Sequence, residues 1–417
     1  MKMLRPMVVL LCGALCGRAP AATEIVFPPV SGMLSGEFKP LKVSGAPSIR
    51  WSADIRDAGL DGKNRAIELA VNGDGMTLRA SVMLSSLREG TWKISEGELD
   101  LAKWFPSLAK LSAELGGFAV KGTVTVSGAG TISAGVPSGT LQAEMSDGRL
   151  EQTTDGWTLD GVTFAAELAV DADGFRTKSL KPFEAKIGTV TTSRFGARNV
   201  LLRGMLNEDR TVELSEARVE IAGGEVTVDP TTVTLSPFAA EGTLHIVNVG
   251  LQDLVALVPA SLTSAEGRMD GTVRVGWSTA GGFHLGAGDL AVGKTEATVV
   301  RLAPKPGFLT QSMPKRFEPL PTWTGPLSKW LSADNPAYSD MAEIETGRAS
   351  LQVDSLSVQL TPEGDADGRT AKVRMKARPV KEGGSVKSVA IDVNLTGRLD
   401  DILRFGLNQE FSIQVQK

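Results

Sequence analysis

Cysteine and histidine are nearly absent from this sequence of 417 residues. The two cysteines, Cys12 and Cys16, both lie in an apolar N-terminal segment, and the two histidines, His245 and His284, stand alone in their segments. A structural zinc site needs four closely placed ligands of these types, and a cysteine nucleophile needs a thiol beside a base. The sequence therefore predicts no metal site and no cofactor, and structural roles for both histidines.

Catalytic motifs and concentrated charge are also lacking. No G-x-S-x-G motif occurs, and no serine stands in a recognisable arrangement with a histidine and an acid. The 44 basic and 48 acidic residues leave a net charge of −4, and the basic residues are not clustered as phosphate-backbone binding requires. We therefore expect a protein that is not an enzyme, has no catalytic residues and does not bind nucleic acid.

Three short stretches imitate ligand sites. Residues 171–175 (DADGF) and 364–368 (GDADG) begin like a calcium loop but lack the bidentate acid that completes one. Residues 128–135 (GAGTISAG) resemble a phosphate-binding loop, but the pattern after the glycines predicts a strand instead of the helix whose N-terminus binds phosphate. We interpret all three as parts of strands or hairpin turns.

Long apolar runs are restricted to the N-terminus. Residues 1–21 resemble a secretory signal, with two basic residues before an apolar stretch at 7–17 and small residues after it. The stretch is short for a membrane-spanning helix, which needs about 20 residues. We predict cleavage after Ala21 or Ala22, and retention as an uncleaved inner-membrane anchor is the alternative. Both place the rest of the chain outside the cytoplasm.

Alternation of apolar and polar residues dominates the rest of the chain. In residues 370–380, Val373 and Met375 alternate with lysines and arginines, and residues 388–395 repeat the scheme. Residues 66–82 hold two alternating runs around an Asn-Gly-Asp-Gly turn, which is typical of a β-hairpin. With 46 glycines and little helical periodicity, the sequence predicts a mainly β fold, an antiparallel meander with a few short helices.

One element, a strand followed by a short apolar helix, recurs along the chain. It occurs as GELDLAKWFP at 97–106 and as VNVGLQDLVALVP at 247–259, and GRLDDILRFG at 397–406 is a truncated third copy. We interpret the element as the end of a β-sheet repeat, with a helix that covers one end of the sheet.

Aspartate and proline delimit these short helices in the sequence. The acids Asp100, Asp253 and Asp400 are predicted to act as N-caps or first-turn residues. Pro106 and Pro259 are expected to end the first two helices, because proline in a helix interior removes a hydrogen bond and clashes with the preceding turn.

These patterns divide the chain into five parts. Proline cannot donate a hydrogen bond within a central strand, so the proline-rich part is expected to cap or cross the sheet. The predicted parts are the signal or anchor at 1–21, an N-terminal β repeat at 22–209, a second repeat at 210–303, the proline-rich excursion with a short helix at 304–345, and C-terminal strands with a terminal helix at 346–417.

A sheet with one apolar face has two possible uses for that face. If the sheet curls, the face becomes a trough, in which an acyl chain gains about 0.8 kcal/mol for each CH₂ that it buries. If it does not, the same face packs on another sheet as ordinary core. Alternation is compatible with both.

Several segments resemble the AsmA-like group of envelope proteins, and most of all its YdbH branch, which is sometimes labelled a dicarboxylate-transport domain. The resemblance covers about residues 210–417 and is carried by IAGGEVTVDP at 221–230, VNVGLQDLVALVP at 247–259, EGRMDGTVRVGWS at 266–278, PGFLTQSM at 306–313 and the segment at 377–407. It implies an elongated, curled antiparallel β-sheet groove built from AsmA-like repeats, with a hydrophobic interior. The chain is shorter than the bridge-forming members of the group.

The resemblance also implies a function. We expect a non-enzymatic protein of the periplasm or cell envelope of a diderm bacterium that binds or transfers phospholipid between inner and outer membranes. Its expected partners are phospholipid, one or both membranes and other envelope proteins. The residues expected to line the groove are the apolar members of alternating strands: Val124, Val126, Val273, Val275, Val373, Met375, Ile391 and Val393.

Two alternatives remain open at this stage. A structural or adhesive β-rich surface protein would use the apolar face only as core. A periplasmic dicarboxylate-binding component would need paired Arg or Lys side chains to clamp two carboxylates, and the sequence suggests no such pair.

Overall fold

A computed structural model describes most of the chain between residues 31 and 396. The described residues are 31–39, 45, 47–57, 64–86, 88–110, 117–152, 156–170, 177–192, 196–235, 237–255, 261–279, 281–293, 296–318, 332–381 and 383–396. The predicted signal, the DADGF stretch at 171–175, Pro259 and the third repeat copy with Asp400 lie outside them.

The described chain is mostly β-strand, with three short helices. The helices are α1 (Leu101–Ala109), α2 (Leu251–Leu254) and α3 (Pro336–Glu345). The strands are β1 (Gly32–Phe38), β2 (Ile49–Asp57), β3 (Arg65–Gly73), β4 (Met76–Leu84), β5 (Gly90–Asp100), β6 (Phe118–Ser133), β7 (Val136–Gln152), β8 (Trp157–Val170), β9 (Thr177–Ser179), β10 (Phe183–Thr191), β11 (Gly196–Leu206), β12 (Thr211–Ile221), β13 (Gly224–Val228), β14 (Thr231–Leu235), β15 (Phe238–Gly250), β16 (Leu262–Glu266), β17 (Arg268–Ser278), β18 (Gly282–Val292), β19 (Thr298–Leu302), β20 (Arg316–Phe317), β21 (Ala333–Asp334), β22 (Leu351–Leu360), β23 (Ala371–Pro379) and β24 (Val389–Leu395).

Twenty-two of these strands belong to one antiparallel sheet, and β20 and β21 form a separate pair. The prediction of a mainly β, antiparallel fold with a few short helices is confirmed. Within the described residues, no helix has the length and apolarity needed to cross a bilayer.

The chain divides into two compact units. Among the described residues, unit 1 consists of those up to Arg218 and of Pro230–Ala240, and unit 2 consists of Val219–Asp229 and of those from Glu241 onwards. The domain boundaries proposed from the sequence patterns stay predictions.

The predicted hairpin at residues 66–82 is present as β3 and β4. Val71 faces Leu78 across the two strands, two residues from the turn. Gly75 in the turn has a φ of +75°, a value that residues with a side chain rarely adopt. The apolar residues of the hairpin enter the core of unit 1, as the alternation predicts.

Tryptophan closes one side of the unit 1 core. Trp92 of β5 lies over Gly130 and Gly139, where an added Cβ would come within 2.7 Å and 2.9 Å of its ring. The ring nitrogen donates a hydrogen bond to the carbonyl of Ser138 (3.1 Å). Glycine at both positions is therefore required for the indole to pack on the sheet.

Helix α1 follows β5, as the first repeat copy predicts. Asp100 is its N-cap, and the Asp100 carboxylate accepts a hydrogen bond from the amide of Ala102 (2.9 Å). The prediction that Pro106 ends the helix is wrong, because α1 continues to Ala109. Burial of Phe105 and Leu108 on either side of the proline offsets the lost hydrogen bond.

Helix α2 follows β15 in the second copy but is capped differently. Its N-cap is Gly250, which has no side chain to accept a capping hydrogen bond, and Asp253 lies in the first turn. Asp100 therefore acts as an N-cap, whereas Asp253 is a first-turn acid; both roles were predicted for these acids.

We expect this difference in capping to appear in stability measurements. Asp100→Ala should lower the free energy of unfolding by about 1 kcal/mol, because the substitution removes a side-chain N-cap. Asp253→Ala should lower the free energy of unfolding by less than about 0.5 kcal/mol, because that acid interacts only with the helix dipole and salt in the buffer screens this interaction. Urea denaturation followed by circular dichroism measures both, and equal effects would contradict the assignment of the caps.

The proline-rich excursion carries α3, within the stretch where a short helix is predicted. Asn335 is its N-cap: the Asn335 side chain accepts from the amide of Ala337 (3.1 Å) and donates to the carbonyl of Pro314 (2.8 Å). Ile344 packs into the core of unit 2 with Val300 and Leu351, all at most 1% exposed.

Candidate functional site

Seven strands of unit 1 each contribute one apolar side chain to a single row across the sheet. Each member faces the next in register and is partly buried. The row, called here the apolar row, runs from β4 through β5, β6, β7, β8 and β10 to β11 and consists of Met76, Leu99, Val124, Met145, Phe164, Ala185 and Leu202. At about 4.8 Å between neighbouring strands, it is about 29 Å long.

A second set of apolar residues widens the row. Val162, Ile187 and Val200 face one another two residues along their strands from the members on β8, β10 and β11. Because residues two apart share a face of a strand, these side chains lie on the same side of the sheet as the row. All three are partly buried.

The opposite face of the same strands is charged. Arg203, next to Leu202 in sequence, forms ion pairs with Glu184 (2.7 Å) and Glu216 (2.8 Å), and Lys186 pairs with Glu184. Hydrogen bonds from Lys186 and Arg203 hold the pKa of Glu184 below its ordinary value. Leu201 on the same face is buried, but the charged side chains of these ion pairs are exposed to water, while the row presents only apolar groups on the other face.

A cavity lies at the β4 end of the apolar row, beneath α1. Its volume is about 40 Å³. Trp104 and Leu108 of α1, which are 2% and 8% exposed, form one wall. Met76, Leu99 and Val124 of the row line the cavity as well.

Helix α1 is attached to the β3–β4 turn at three points. The indole nitrogen of Trp104 donates to the carbonyl of Asp74 (3.1 Å), and the Lys103 ammonium pairs with the Asp74 carboxylate. The amide of Asp100 donates to the carbonyl of Gly75 (2.8 Å). The hydrogen bond from Lys103 to Asp74 raises the pKa of the lysine.

The predicted lining residues of unit 1 lie together at this cavity. Val124 belongs to the apolar row, Val126 lies two residues further along β6, and both line the cavity. Met145, Phe164 and Leu202 were not singled out from the sequence. Alternation was the available signal, but bulges in β7 interrupt it between Met145 and Leu150.

The predicted residues of unit 2 occupy two kinds of position. Val273, Met375 and Ile391 are 5%, 7% and 5% exposed, and the last two face each other within the unit 2 core. Val275, Val373 and Val393 are only partly buried. Val373 and Val393 belong to a shorter in-register row with Leu290 and Val358.

The polar residues that could take part in catalysis or ligand binding interact with neighbouring protein groups. His245 lies 2.7 Å from a carboxylate oxygen of Asp229, and His284 lies 3.6 Å from one of Glu241. Asp365, in the calcium-like stretch at 364–368, accepts hydrogen bonds from the amides of Asp367 and Arg369, and the one from Arg369 lowers the pKa of Asp365. In the described part of the chain, no group of three or more His, Cys, Asp or Glu is placed to hold a metal ion.

Comparison with known proteins gives a family for the chain. A search of curated proteins finds no match. A family model described as "YdbH-like: Intermembrane phospholipid transport protein YdbH" matches residues 33–293, which is more than half of the chain. The match overlaps the segment of resemblance noted in the sequence only at 210–293, and it adds the strands that carry the apolar row. The chain therefore belongs to the YdbH-like family of intermembrane phospholipid transport proteins.

Proposed function

We propose that the chain transfers phospholipid between membranes without catalysis, by holding an acyl chain against the apolar row of unit 1. The observation that carries this proposal is the unbroken, partly exposed row of apolar side chains on seven neighbouring strands. A family of phospholipid transport proteins supports phospholipid as the ligand.

The dimensions of the row suit an acyl chain. An extended alkyl chain with bonds of about 1.5 Å and near-tetrahedral angles advances about 1.25 Å per carbon, so a chain of about 16 carbons spans about 19 Å. The row of about 29 Å is long enough to hold one. Each buried CH₂ contributes about 0.8 kcal/mol, and such contacts allow the lipid to slide because they are not directional.

The charged face allows the sheet to stay solvated on one side while it carries lipid on the other. Ion pairs such as those of Arg203 keep that face in water while the lipid lies on the other. We propose the periplasm of a diderm bacterium as the compartment, with the inner and outer membranes as donor and acceptor. Residues 1–21 would supply export, as a signal or as an anchor.

Photocrosslinking on one strand tests the position of the lipid. A benzophenone-bearing phenylalanine at Met145, in the apolar row, is expected to form a covalent adduct with phospholipid, which intact-mass spectrometry detects. The same group at Glu144, the exposed neighbour on the opposite face, is the matched control and is expected to form at least about tenfold less adduct.

Two results would contradict the proposal. Equal adduct at the two positions would show that the lipid does not select the apolar face. Absence of phospholipid from the purified chain, together with absence of transfer between vesicles, would favour a structural protein. Calorimetric binding of succinate in that case would favour a dicarboxylate-binding component.

A further inference from the structure

We infer that helix α1 closes one end of the apolar row and that Trp104 sets the length of the acyl chain that the row accepts. The inference rests on the proposed function, because it names which chains the same site takes. Helix α1 lies against β5 and β6, and its Trp104 is almost completely buried at the cavity that ends the row.

The two sides of Trp104 differ in packing. On the far side the apolar face is filled core: Ile49, Val71 and Leu78 are at most 4% exposed and form one cluster with Trp104. On the near side the row from Val124 to Leu202 stays partly exposed, although Leu141 of β7 and Val170 of β8, further along those strands, belong to the same buried cluster. An acyl chain that follows the row towards β4 therefore ends at the indole.

The attachment of α1 makes Trp104 a fixed stop. Its indole nitrogen is hydrogen-bonded to the carbonyl of Asp74, and the neighbouring Lys103 pairs with the carboxylate of the same residue. The amide of Asp100 holds the start of the helix on the carbonyl of Gly75. A ring held by its own hydrogen bond within a core cluster cannot turn aside without breaking that bond.

The length of the open part of the row gives the expected chain. Val124 and Leu202 are separated by four strand spacings, or about 19 Å, which corresponds to about 15 or 16 carbons. Removing the indole would free the space beside Leu99 and Met76, which line the same cavity. One further strand spacing equals about four carbons, so the preferred chain should lengthen by about two to four carbons.

The test is the acyl profile of bound lipid. The full-length protein and its variants are incubated with vesicles of phosphatidylethanolamines that carry tetradecanoyl, hexadecanoyl, octadecanoyl or eicosanoyl chains in equal amounts, and the bound lipid is analysed by mass spectrometry. Trp104→Ala is expected to enrich the longer chains at least about threefold relative to the unaltered protein. Val124→Phe, which adds bulk in front of the stop, is expected to enrich the shorter chains.

Two further variants separate chain-length selection from loss of packing. Val82→Ala weakens the same core cluster at a position that does not line the cavity, and it should keep the original profile. Trp104→Leu preserves an apolar core if Trp104→Ala does not fold, and it should also favour longer chains. If both Trp104 variants bind lipid with the same acyl-chain profile as the unaltered protein, the inference is wrong but the proposed function still stands. Absence of bound lipid in the unaltered protein would overturn the proposed function with it.

Discussion

Replacing Phe164 with glutamate is expected to slow phospholipid transfer between vesicles by at least about tenfold. Phe164 lies in the middle of the apolar row, between Met145 and Ala185. A carboxylate there would have to lose water whenever an acyl chain covers it, and burying an unpaired charge costs several kcal/mol. Since about 1.4 kcal/mol corresponds to tenfold in binding, the loss should be large. Dequenching of a fluorescent phospholipid that leaves donor vesicles measures the rate.

The neighbouring residue provides the control for this substitution. Thr163 points to the opposite face, where it faces Lys186 in register, so Thr163→Glu adds the same charge outside the apolar row. This variant should transfer lipid at close to the original rate, and so should Phe164→Leu. Comparable losses in Thr163→Glu and Phe164→Glu, with unchanged melting temperatures, would show that the apolar row does not contact the lipid.

Replacing Glu345 with glutamine is expected to destabilise unit 2 by about 2 to 4 kcal/mol. Glu345 is 3% exposed, and its carboxylate accepts hydrogen bonds from the amides of Gly307, Leu309 and Thr310 and from the Thr310 hydroxyl, at 2.7 to 3.0 Å. Hydrogen bonds to a charged group contribute about 1.5 to 3 kcal/mol each and are not additive. A glutamine amide offers one acceptor oxygen instead of two, so at least one amide donor loses its partner. Urea denaturation measures the change.

The same carboxylate predicts how stability depends on pH. Burial raises the pKa of Glu345, but the four hydrogen bonds outweigh burial and bring the pKa below the ordinary value of 4.5. A group whose pKa is lowered by folding stabilises the protein above its unfolded pKa, and that stability is lost as the pH falls through the folded value. Stability of unit 2 should therefore decrease below about pH 4.5, and the decrease should be smaller in Glu345→Gln.

Glu343, on the same helix, is the matched control for both measurements. Its side chain is 43% exposed and lies 3.4 Å from Lys381, an arrangement that contributes little in water. Glu343→Gln should change the unfolding free energy by less than about 1 kcal/mol. If Glu343→Gln and Glu345→Gln had equal effects, the hydrogen-bonded turn at Gly307–Thr310 would not be the source of the stability.

Local patterns were sufficient to predict a mainly antiparallel β fold and, within it, one hairpin. The hairpin of β3 and β4 follows from an Asn-Gly-Asp-Gly turn between two alternating runs, and the cap at Asp100 follows from the preference for acids at N-caps. Both features depend only on residues that are close together in the chain.

The errors and omissions come from contacts between more distant residues. Pro106 lies inside α1 because burial of Phe105 and Leu108, which local propensity does not include, outweighs the cost of the proline. The members of the apolar row on β8, β10 and β11 are not identified from the sequence, because alternation within one strand does not show which residues of the neighbouring strands lie in register with them.

The sequence by itself determined that this chain forms an antiparallel sheet with one apolar and one charged face, because alternation is a property of each strand alone. Tertiary structure decided which part of the apolar face stays open. That face is packed core from β2 to β5 and at Leu141 of β7 and Val170 of β8, whereas along the row from Val124 to Leu202 it remains partly exposed. The reason is that helix α1 with Trp104 docks where the two parts meet, and docking depends on contacts between residues that are distant in sequence.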